Sequence, residues 1–524
     1  MTVLLSQLLS ALPQELILEI PLEKNIPISG IVLDSRQVKP RCMFVALPGS
    51  NVDGHRYIPS AIQNGATAVV GSEFQDGLSV PYIRVTDSRK ALAYLAAAFY
   101  QHPARNLTVI GVTGTDGKTT TVNLIYSILK AAGLKAGIIS TVNAIIGDEI
   151  LDTGFHVTTP ESVDVQRYLA QMAFRQPEPL THVILEATSH GLAQQRVTAC
   201  EFDLAVYTNI THEHLDYHKS YEAYRDAKAM LIRHLADTVE KSRGNFRKAI
   251  LNRDDSSFEF LYHMANSCLP SNHIISYGLT PEADFYATDV VSSIHGTQFQ
   301  LKTPYKSIQI NTPLIGRHNL SNCLAALSTT VAGLGIEMSV AVEGIAAMKG
   351  VEGRLENIDC GQDFMAIVDF AHTPNALKVA LETVRQITPG RIIAVFGSAG
   401  LRDRQKRRMM AEISAVLADI SIMTAEDPRT ESLDRILAEM AEGMQEKGKI
   451  EGENYWRIPD RREALRFAVN MATSKDLVIA FGKGHEQSMC FGDIEYAWDD
   501  RTALRAAICE RLGIPGPAMP YLPT

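Results

Sequence analysis

Residues 111–121, with the sequence GVTGTDGKTTT, have the side chains and the spacing of a phosphate-binding loop. Closely spaced glycines let backbone N–H groups turn inward toward phosphate oxygens. Lys118 supplies a positive charge, and Thr119 supplies a hydroxyl suited to Mg²⁺. Val112 stands where the strict Walker A pattern has its first glycine, so the loop is a variant of that pattern. We predict a nucleoside triphosphate site; the alternative is a glycine-rich turn beside a surface lysine.

The elements expected on either side of this loop are those that hold such a site in place. The apolar residues 107–112 predict a strand that runs into the loop, followed by a helix that ends near Gly133. Apolar runs at 182–185 and 202–207 predict further strands of a parallel sheet covered by helices on both faces. Glu186 directly follows one of these strands. We therefore expect its carboxylate at the carboxyl edge of the sheet, where open α/β sheets bind ligands.

The chain of 524 residues is too long for one hydrophobic core, and its pattern predicts three α/β domains. We place them at residues 1–104, 105–349 and 350–524. The first and third domains also alternate short apolar runs with helical stretches, which is typical of α/β folds. Their predicted strands lie at 31–33, 43–46, 68–70, 82–85, 366–370, 391–396, 420–424 and 476–481.

Two segments within or at the end of the first domain, residues 1–20 and 88–106, are expected to be largely helical or to connect domains. Residues 1–20 are apolar but lack a basic start, and a proline and two glutamates interrupt the run. We expect an amphipathic helix that packs on its own domain rather than a signal peptide. A second helix is expected at 88–100 with Asp87 as its N-cap. Pro103 ends it, so residues 102–106 are interpreted as a linker.

The composition of the chain excludes several classes of protein. The net charge of −9 gives no electrostatic case for a nucleic-acid partner. The seven cysteines include no CxxC pair, which argues against a zinc site or a disulfide framework and favours a reducing cytoplasm. No run of about 18 uninterrupted apolar residues is present, so no membrane span is expected. We expect a cytoplasmic protein that acts as a monomer.

Three further segments and the phosphate loop resemble one known family. Residues 158–161 read TTPE, residues 186–197 read EATSHGLAQQRV, and residues 208–218 read TNITHEHLDYH. With the G-T-x-G-K-T-T form of the loop, they resemble the MurE branch of the Mur ligase family, and the resemblance extends over most of the chain. It implies a uridine-binding domain, a central ATP-binding domain and a Rossmann-like amino-acid-binding domain. It also implies ATP-dependent addition of a diamino acid to UDP-MurNAc-L-Ala-D-Glu through an acyl phosphate.

The resemblance implies roles for residues of the ATP and metal sites. Lys118, Glu186, His214 and Lys228 match catalytic positions, and Lys228 matches a lysine that CO₂ converts into a carbamate. Mg²⁺ is expected on Thr119, Glu186, His214 and carbamylated Lys228. The ATP-binding set is expected to comprise Gly114, Thr115, Asp116, Gly117, Lys118, Thr119, Thr120, Asn319, Asn322, Arg354 and Asp369.

Some of these positions have simpler interpretations or depart from the family. Lys228 alone would be a solvated surface lysine, His214 a structural histidine, and Asp369 a helix N-cap. Asp116 replaces the asparagine usual beside the phosphates, and its charge can hydrogen-bond a metal-bound water or repel ATP. Arg354 is expected at the γ-phosphate and Asp369 at the ribose. Because both belong to the third domain, we expect the ATP site to be complete only when that domain closes.

The UDP-linked precursor is expected at the first and central domains. Residues 33–58 resemble the uridine-binding segment, whose D-S-R and D-G-H motifs lie in loops at the nucleotide. In the first motif, Asp34, Ser35 and Arg36 supply an acceptor, a hydroxyl and a cation for uracil and diphosphate. Thr188 replaces a serine of the family but keeps a hydroxyl. The expected precursor-binding set is Asp34, Ser35, Arg36, Asp53, Gly54, His55, Thr158, Thr159, Thr188, Gln194, Arg196 and Lys228.

The incoming amino acid is expected at the third domain, on residues 397–410 (GSAGLRDRQKRRMM), EDPR at 426–429 and GKGHE at 482–486. Arginine pairs with carboxylates in bidentate geometry, and Glu486 is suited to accept a cationic amine. Arg429 therefore favours meso-2,6-diaminopimelate, whereas the extra acid at Asp427 leaves L-lysine or L-ornithine open. The expected set is Arg402, Glu426, Asp427, Arg429, Gly482 and Glu486.

Two other functions remain as alternatives. A folylpolyglutamate or cyanophycin-type ligase shares the superfamily, but the DSR and DGH motifs and GKGHE argue against it. A nucleotide-binding homologue without catalysis is the second alternative. The presence of Lys118, Glu186, His214 and Lys228 argues against that loss of activity.

Overall fold

The computed structural model describes residues 2–49, 53–140, 143–147, 149–152, 159–211, 215–293, 296–348 and 350–523. The chain divides into two compact units. The first unit comprises Met1–Ala287, Leu301–Ser307 and Ser321–Ile345, and the second comprises Thr288–Gln300, Ile308–Leu320 and Ala346–Thr524. The finer division into three domains stays a prediction.

The N-terminal part of the first unit is a five-stranded sheet in the order β2-β7-β6-β5-β4. Strands β4 to β7 run parallel, and β2 pairs antiparallel with β7. The four strands predicted here are confirmed, as is the N-cap, since the Asp87 carboxylate accepts the N–H groups of Arg89 and Lys90. The elements are β1 (Val3–Leu4), α1 (Leu5–Leu9), β2 (Ile17–Glu19), β3 (Pro27–Ile28), β4 (Gly30–Val32), β5 (Cys42–Val45), α2 (Ile58–Gln63), β6 (Ala66–Gly71), β7 (Tyr82–Val85) and α3 (Ser88–Phe99).

The first 20 residues do not form one amphipathic helix, so that prediction is wrong. Helix α1 has only five residues, and strand β2 follows after a short 3-10 turn. Pro13 has no N–H to continue a helix, and β2 gains ladder hydrogen bonds from β7 instead. Residues 102–106, which the sequence predicts to be a linker, follow helix α3. Residues Pro103–Asn106 form a 3-10 turn in which Pro103 and Ala104 are buried.

The central part of the first unit is built on parallel strands in the order β9-β12-β8-β13-β14-β15-β16. Strands β8, β12 and β13 are buried along their whole lengths, as predicted for a sheet covered on both faces. The elements along this stretch of the chain are β8 (Thr108–Thr113), α4 (Lys118–Ala131), β9 (Ala136–Ile139), β10 (Asn143–Ile146), β11 (Glu149–Asp152), α5 (Ser162–Ala173), β12 (His182–Glu186), α6 (Ser189–Ala193), β13 (Leu204–Tyr207), α7 (Leu215–His218), α8 (Tyr221–Ala236), β14 (Lys248–Asn252), α9 (Phe258–Cys268), β15 (Ile274–Gly278), β16 (Phe285–Ser293), β17 (Gly296–Lys302), β18 (Ser307–Thr312), α10 (Arg317–Leu327) and α11 (Met338–Ala346). Residues 288–293 of β16, 296–300 of β17, 308–312 of β18 and 317–320 of α10 belong to the second unit.

The second unit contains a six-stranded sheet in the order β19-β20-β24-β21-β22-β23. Strands β20 to β24 of this sheet are parallel, and β19 is antiparallel to β20. The insertion of β24 between β20 and β21 puts the ends of four strands side by side at the carboxyl edge. The elements are β19 (Glu356–Asn357), β20 (Met365–Asp369), α12 (Pro374–Ile387), β21 (Ile392–Phe396), α13 (Gln405–Leu417), β22 (Ile420–Met423), α14 (Leu433–Glu446), β23 (Tyr455–Arg457), α15 (Arg461–Met471), β24 (Leu477–Phe481), β25 (Ser488–Phe491), β26 (Ile494–Ala497) and α16 (Asp500–Leu512).

The architecture matches the predicted α/β class with parallel sheets. Among the described residues, no helix combines the length and the apolar character needed to cross a bilayer.

Candidate active site

The phosphate loop joins β8 to α4, as the sequence predicted. Gly114 and Gly117 both have positive φ, at 153° and 82°. A Cβ at Gly114 would collide with the hydroxyl oxygen of Thr208, and one at Gly117 with Oδ1 of Asn322. Only glycine therefore fits these two positions, and the loop backbone lies directly against its neighbours.

The ends of β8 and β13 fix the conformation of this loop together. Asn209 accepts the Asp116 N–H through Oδ1 at 2.9 Å and donates to the Asp116 carbonyl through Nδ2 at 3.0 Å. The Thr208 hydroxyl donates to the same carbonyl at 2.7 Å, and the Thr115 N–H donates to the Asn209 carbonyl at 2.7 Å. The Asp116 side chain itself is exposed. The loop is thus held through its backbone in a preformed shape, while the Asp116 carboxylate stays at the surface.

Of the two loop side chains predicted to act on ATP and metal, Thr119 contacts Glu186 and Lys118 contacts the loop backbone. The Thr119 hydroxyl donates to Glu186 Oε2 at 3.0 Å, and both residues are buried. The Lys118 ammonium donates to the Thr115 carbonyl at 2.8 Å. Thr120, the next residue of α4, is also buried. A hydroxyl and a carboxylate at the mouth of a phosphate loop are hard oxygen ligands, so the donor set fits Mg²⁺.

Lys228 lies on α8, and its side chain is only 1% exposed. Its ammonium donates to the Gly114 carbonyl at 2.5 Å and lies 4.7 Å from the ring centre of Tyr224. The Tyr224 hydroxyl is in turn 2.9 Å from Oγ1 of Thr115. The interpretation of Lys228 as a solvated surface lysine is therefore excluded. His214 and Thr158, which were predicted at the same site, lie outside the described residues.

The residues predicted to contact the muramoyl dipeptide form a hydrogen-bonded group beside Glu186. Thr159 donates to the Glu186 carbonyl at 3.2 Å and lies 3.0 Å from the Thr188 hydroxyl. The Arg196 guanidinium donates to the Thr159 carbonyl at 2.5 Å and to Gln194 Oε1 at 2.8 Å. Burial lowers the pKa of Arg196 below its usual range, although the charge of Glu161 opposes that effect. Arg196 also forms an ion pair with Glu161 at 2.6 Å.

The D-S-R motif follows β4 in the N-terminal sheet. Asp34 accepts the Arg36 N–H at 2.9 Å and pairs with its guanidinium at 2.8 Å, which lowers the pKa of Asp34. The Arg36 side chain is largely exposed, and Ser35 is buried. The acceptor and the cation predicted for the nucleotide are thus paired with each other, and they lie at the carboxyl edge of the parallel strands.

The D-G-H motif links the loops that follow β5 and β6. His55 is buried, with Nδ1 2.7 Å from Asp53 and Nε2 accepting the Ser72 N–H at 3.0 Å. The imidazole therefore carries its proton on Nδ1 and donates it to Asp53. Asp53, His55 and Glu73 lie within metal-ligating distance of one another, but both ring nitrogens of His55 are already engaged. A Cβ at Gly54 would meet the backbone of Leu47, so this position requires glycine.

Two further residues predicted to bind ATP, Arg354 and Asp369, lie in the second unit, the first before β19 and the second at the end of β20. Asp369 accepts the N–H groups of Leu355 and Ala371 at 2.7 and 2.9 Å. The N-cap of α12 is Thr373, so the helix-cap interpretation of Asp369 is excluded. The Arg354 guanidinium carbon lies 4.4 Å from the ring centre of Phe370. Asp369 and Arg354 thus lie on neighbouring segments of one edge of this sheet.

Asn319 and Asn322 both lie on α10 and are both buried. Asn322 Oδ1 is 3.4 Å from the Thr121 hydroxyl and faces Gly117, within the first unit. Asn319 donates to the Ile315 carbonyl at 2.9 Å, within the second. The structure therefore brings Asn322 to the phosphate loop.

The EDPR and GKGHE motifs meet at the carboxyl edge of the second unit's sheet. The Lys483 ammonium lies 3.0 Å from both carboxylate oxygens of Asp427 and 2.5 Å from Glu486. Burial lowers the pKa of Lys483, but the two carboxylates outweigh that effect and raise it above its usual value. Glu426 is buried against Gly482, and burial raises the pKa of its carboxyl. The Lys483 ammonium is thus shared by two carboxylates, those of Asp427 and Glu486, and Glu426 lies in the adjoining loop.

Two arginines predicted to bind the amino acid lie in loops at the same edge. Arg402 is exposed, and Arg429 is partly buried. Within the described part of the chain neither guanidinium has an ion-pair partner. Arg429 has a φ of 54°, and its backbone is held by Cys490 and Gly492 at 3.1 and 2.8 Å. A fixed backbone with an unpaired guanidinium is suited to a bound carboxylate.

Comparisons with known proteins agree with this geometry. Three family models match: "Mur ligase family, catalytic domain" at residues 27–100, "Mur ligase middle domain" at 112–330, and "Mur ligase, glutamate ligase domain" at 353–484. The UDP-N-acetylmuramoyl-L-alanyl-D-glutamate–2,6-diaminopimelate ligase of Geobacillus thermodenitrificans is 40% identical over 488 residues, which cover 93% of this chain and 96% of that protein. The chain belongs to the Mur ligase family.

Two further relatives support this assignment. The UDP-N-acetylmuramyl-tripeptide synthetase of Roseiflexus sp. is 40% identical over 493 residues, covering 93% of this chain and 95% of that protein. A solved structure of a UDP-N-acetylmuramoyl-L-alanyl-D-glutamate–2,6-diaminopimelate ligase has a TM-score of 0.68 at 30% identity, covering 98% of this chain and 100% of that one. As a Mur ligase, the chain is an ATP-dependent amide ligase.

Sequence reasoning missed several residues that this Mur ligase places at its sites. The sequence predicts no role for Thr208 and Asn209, which begin the segment TNITHEHLDYH, or for Lys483 within GKGHE. Thr208 follows β13 directly, and Lys483 comes two residues after β24. The rule that ligands lie beyond the carboxyl ends of parallel strands could have identified both positions. Tyr224, in the interior of α8, gave no comparable signal.

Proposed function

We propose that this Mur ligase joins meso-2,6-diaminopimelate to the D-glutamyl carboxylate of UDP-MurNAc-L-Ala-D-Glu, converting ATP to ADP and phosphate. The observation that carries the choice of amino acid is the pairing of Asp427 with Lys483, which leaves Arg429 without an ion pair among the described residues. The names of the 2,6-diaminopimelate ligases similar to this chain support the same substrates.

The charges at the carboxyl edge of the second unit explain the preference for an amino acid with two carboxylates. Asp427 and Glu486 share the ammonium of Lys483, so neither is a fully unpaired anion for a substrate amine. Burial raises the pKa of Glu426 and thereby favours its neutral form. Arg429 is then a partly buried cation without an opposite charge paired with it among the described residues. The distal carboxylate of diaminopimelate supplies that charge, whereas lysine and ornithine have none there.

The chemistry follows from the weakness of a carboxylate as an electrophile. The γ-phosphoryl group passes from ATP to an oxygen of the D-glutamyl carboxylate, which releases ADP and forms an acyl phosphate. The unprotonated amine attacks the acyl carbon, the C–O bond to phosphate breaks, and the amine nitrogen loses a proton to give the amide. The preformed phosphate loop and Lys118 hold the phosphates in line, so positioning and charge stabilisation provide the catalysis.

Magnesium and a carbamate belong to this proposal. Thr119 and Glu186 would hold Mg²⁺, which neutralises triphosphate charge, with His214 as a further proposed ligand. Lys228 is buried against the loop carbonyl of Gly114, where a carbamate nitrogen could keep that hydrogen bond. Carbamylation would replace a buried cation by an anion suited to a metal. The precursor would lie on Asp34, His55, Thr159, Thr188 and Arg196 and their neighbours in the predicted set.

The test is a competition among amines. The protein is incubated with UDP-MurNAc-L-Ala-D-Glu, ATP, Mg²⁺ and an equimolar mixture of meso-diaminopimelate, L-lysine and L-ornithine, and the products are identified by mass. The expected product is the diaminopimelate tripeptide, formed with one ADP per peptide and absent without ATP. A predominant lysine or ornithine product contradicts the choice of amino acid. No ligation at all contradicts the precursor and favours a folylpolyglutamate-type or a non-catalytic function.

A further inference from the structure

Arg461 lies beneath the EDPR and GKGHE loops and is fully buried. It is the first residue of α15, and Asp460 forms the N-cap of that helix. A guanidinium carries five N–H donors and cannot be neutralised in a protein, so its burial requires several fixed acceptors. The acceptors of Arg461 therefore identify the parts of the fold that this guanidinium holds together.

The acceptors of Arg461 are a carboxylate and two strand ends. Its Nε and Nη2 donate to the two carboxylate oxygens of Asp500 at 2.7 and 2.5 Å. Its Nη1 donates to the Ala425 carbonyl at 3.0 Å, and Nη2 also donates to the Phe481 carbonyl at 2.7 Å. Ala425 directly precedes Glu426, and Phe481 directly precedes Gly482. One guanidinium thus bridges the two backbone positions at which the amino-acid-binding loops begin.

The carboxylate partner is itself fixed. Asp500 is fully buried in the first turn of α16, and the indole Nε1 of Trp498 donates to its Oδ1 at 2.8 Å. Trp498 is 2% exposed and belongs to the hydrophobic core of the second unit. The chain of contacts runs from that core through Trp498 and Asp500 to Arg461, and then to both loops.

We propose that Arg461, held by Asp500 and Trp498, is a positioning residue that sets the distance between the EDPR and GKGHE loops and so the fit of the incoming diamino acid. The inference rests on the proposed function, because those loops carry the amino-acid site in it. Strands β22 and β24 are not neighbours, since β21 lies between them, so no ladder hydrogen bond joins their ends. The Arg461 fork spans that gap. Small errors in such spacing weaken the binding of a ligand that must reach both loops.

The same sheet provides a matched control at its opposite edge. Arg391 pairs with Asp476 at 2.7 Å, immediately before β21 and β24. This pair also links strands of the sheet, but it lies at the amino edge, away from both motifs. Its loss should lower stability without changing the binding of any substrate.

The experiment measures KM and kcat for each of the three substrates in Trp498→Phe, Asp500→Asn, Arg461→Lys and the control Arg391→Gln. We expect the KM for diaminopimelate to rise from Trp498→Phe through Asp500→Asn to Arg461→Lys, by on the order of tenfold in Arg461→Lys, with kcat at saturation largely retained. The KM values for ATP and the UDP precursor should change by less than about twofold. Arg391→Gln should match the unaltered enzyme in all three KM values.

If Arg461→Lys does not fold, the test rests on Asp500→Asn and Trp498→Phe, which each remove fewer contacts of this group. An unchanged diaminopimelate KM in folded variants overturns the positioning role. A fall in kcat with all three KM values unchanged also overturns it, because that result means only that a smaller fraction of the enzyme is active. Failure of the unaltered enzyme to use diaminopimelate contradicts the proposed function alone. The same series then tests Arg461 with the amine that the enzyme does accept.

Discussion

Lys483 holds the carboxylate of Asp427 through two contacts of 3.0 Å. From the sequence alone, the extra acid at Asp427 leaves L-lysine and L-ornithine open, because its charge could neutralise Arg429. The structure assigns Asp427 to a different cation, and it adds a hydrogen bond of 2.9 Å from the Cys490 N–H to the same carboxylate. The positive φ of Asp427, 43°, aims its side chain away from the direction that an extended backbone would give.

Arg429→Ala should lower kcat/KM for diaminopimelate by at least about a hundredfold, since breaking a buried ion pair costs about 3–5 kcal/mol. The kcat/KM for lysine should change by less than about threefold, because lysine offers no distal carboxylate to the guanidinium. Steady-state kinetics with both amines measure the difference. Arg435→Ala, which removes an exposed arginine on α14, is the control and should change neither value. Equal losses for both amines in Arg429→Ala would contradict the carboxylate role.

Asp427→Asn should keep the preference for diaminopimelate, with kcat/KM within about fivefold of the unaltered enzyme. The asparagine oxygen can still accept the Cys490 N–H, and Lys483 keeps its contact with Glu486. Lys483→Met is the contrasting variant, because it leaves two acids without their cation and should lose at least about a hundredfold. The amine competition followed by mass analysis measures both. A switch to lysine in Asp427→Asn would show that the extra acid selects the substrate.

Lys118→Ala should reduce ligation by at least about a hundredfold, as expected for the loss of a charge on a transferring phosphoryl group. The Asn209 contacts to Asp116 do not involve the Lys118 side chain, so the loop should keep its shape. Release of ADP in the presence of all substrates measures the effect. Lys130→Ala, at the exposed end of the same helix, should remain fully active. Near-normal turnover of Lys118→Ala would remove the phosphate-loop assignment.

The phosphate loop and the strand ends near it could be predicted because the signals are local. A buried strand, the two loop glycines Gly114 and Gly117 and a helix start lie within residues 108–118, and Glu186 ends its own strand. Each of these features depends on neighbours in the sequence. The parallel order of β12, β8 and β13 then brings Glu186, the loop and Thr208 to one edge.

The partners of Lys483 and Lys228 could not be predicted, because they depend on contacts across long stretches of chain. Lys483 reaches Asp427 only because β24 returns to a position between β20 and β21. Lys228 reaches Gly114 from the middle of a helix in which burial is set by tertiary packing. The prediction of one N-terminal helix is wrong for a related reason. The pairing of β2 with β7 is a long-range contact, and it outweighs the local helical pattern.

Stability should fall as the pH is lowered through the range in which His182 titrates in the unfolded chain. Burial, reinforced by the charge of Arg243, lowers the pKa of His182 to about 4. The unfolded chain, with a pKa near 6.5, therefore binds a proton that the folded protein does not, so stability is full above about pH 6.5 and is lost toward pH 4.

The titration of His182 should lower the free energy of unfolding by about 2 kcal/mol at pH 5, relative to its value above pH 6.5. His182→Gln should show a smaller loss of unfolding free energy between pH 7 and pH 5 than the unaltered protein. Urea unfolding at both pH values measures it. Identical losses in the two proteins would mean that His182 does not titrate as its buried position requires.

The final prediction concerns Lys228, whose ammonium is buried against the phosphate loop. We propose that CO₂ converts this buried cation into an anionic carbamate. If CO₂ forms a carbamate there, Lys228→Ala should be nearly inactive, and a short-chain carboxylate such as acetate should partly restore ligation by supplying the missing anion. Lys228→Arg should also fail, since a guanidinium cannot form a carbamate and stays positively charged. Incubation with ¹³C-bicarbonate should give a carbamate carbon resonance in the unaltered protein and in Lys130→Ala, but not in Lys228→Arg. A fully active Lys228→Arg enzyme, or a carbamate signal that persists in it, would refute carbamylation and leave Lys228 as a buried hydrogen-bond donor to the phosphate loop.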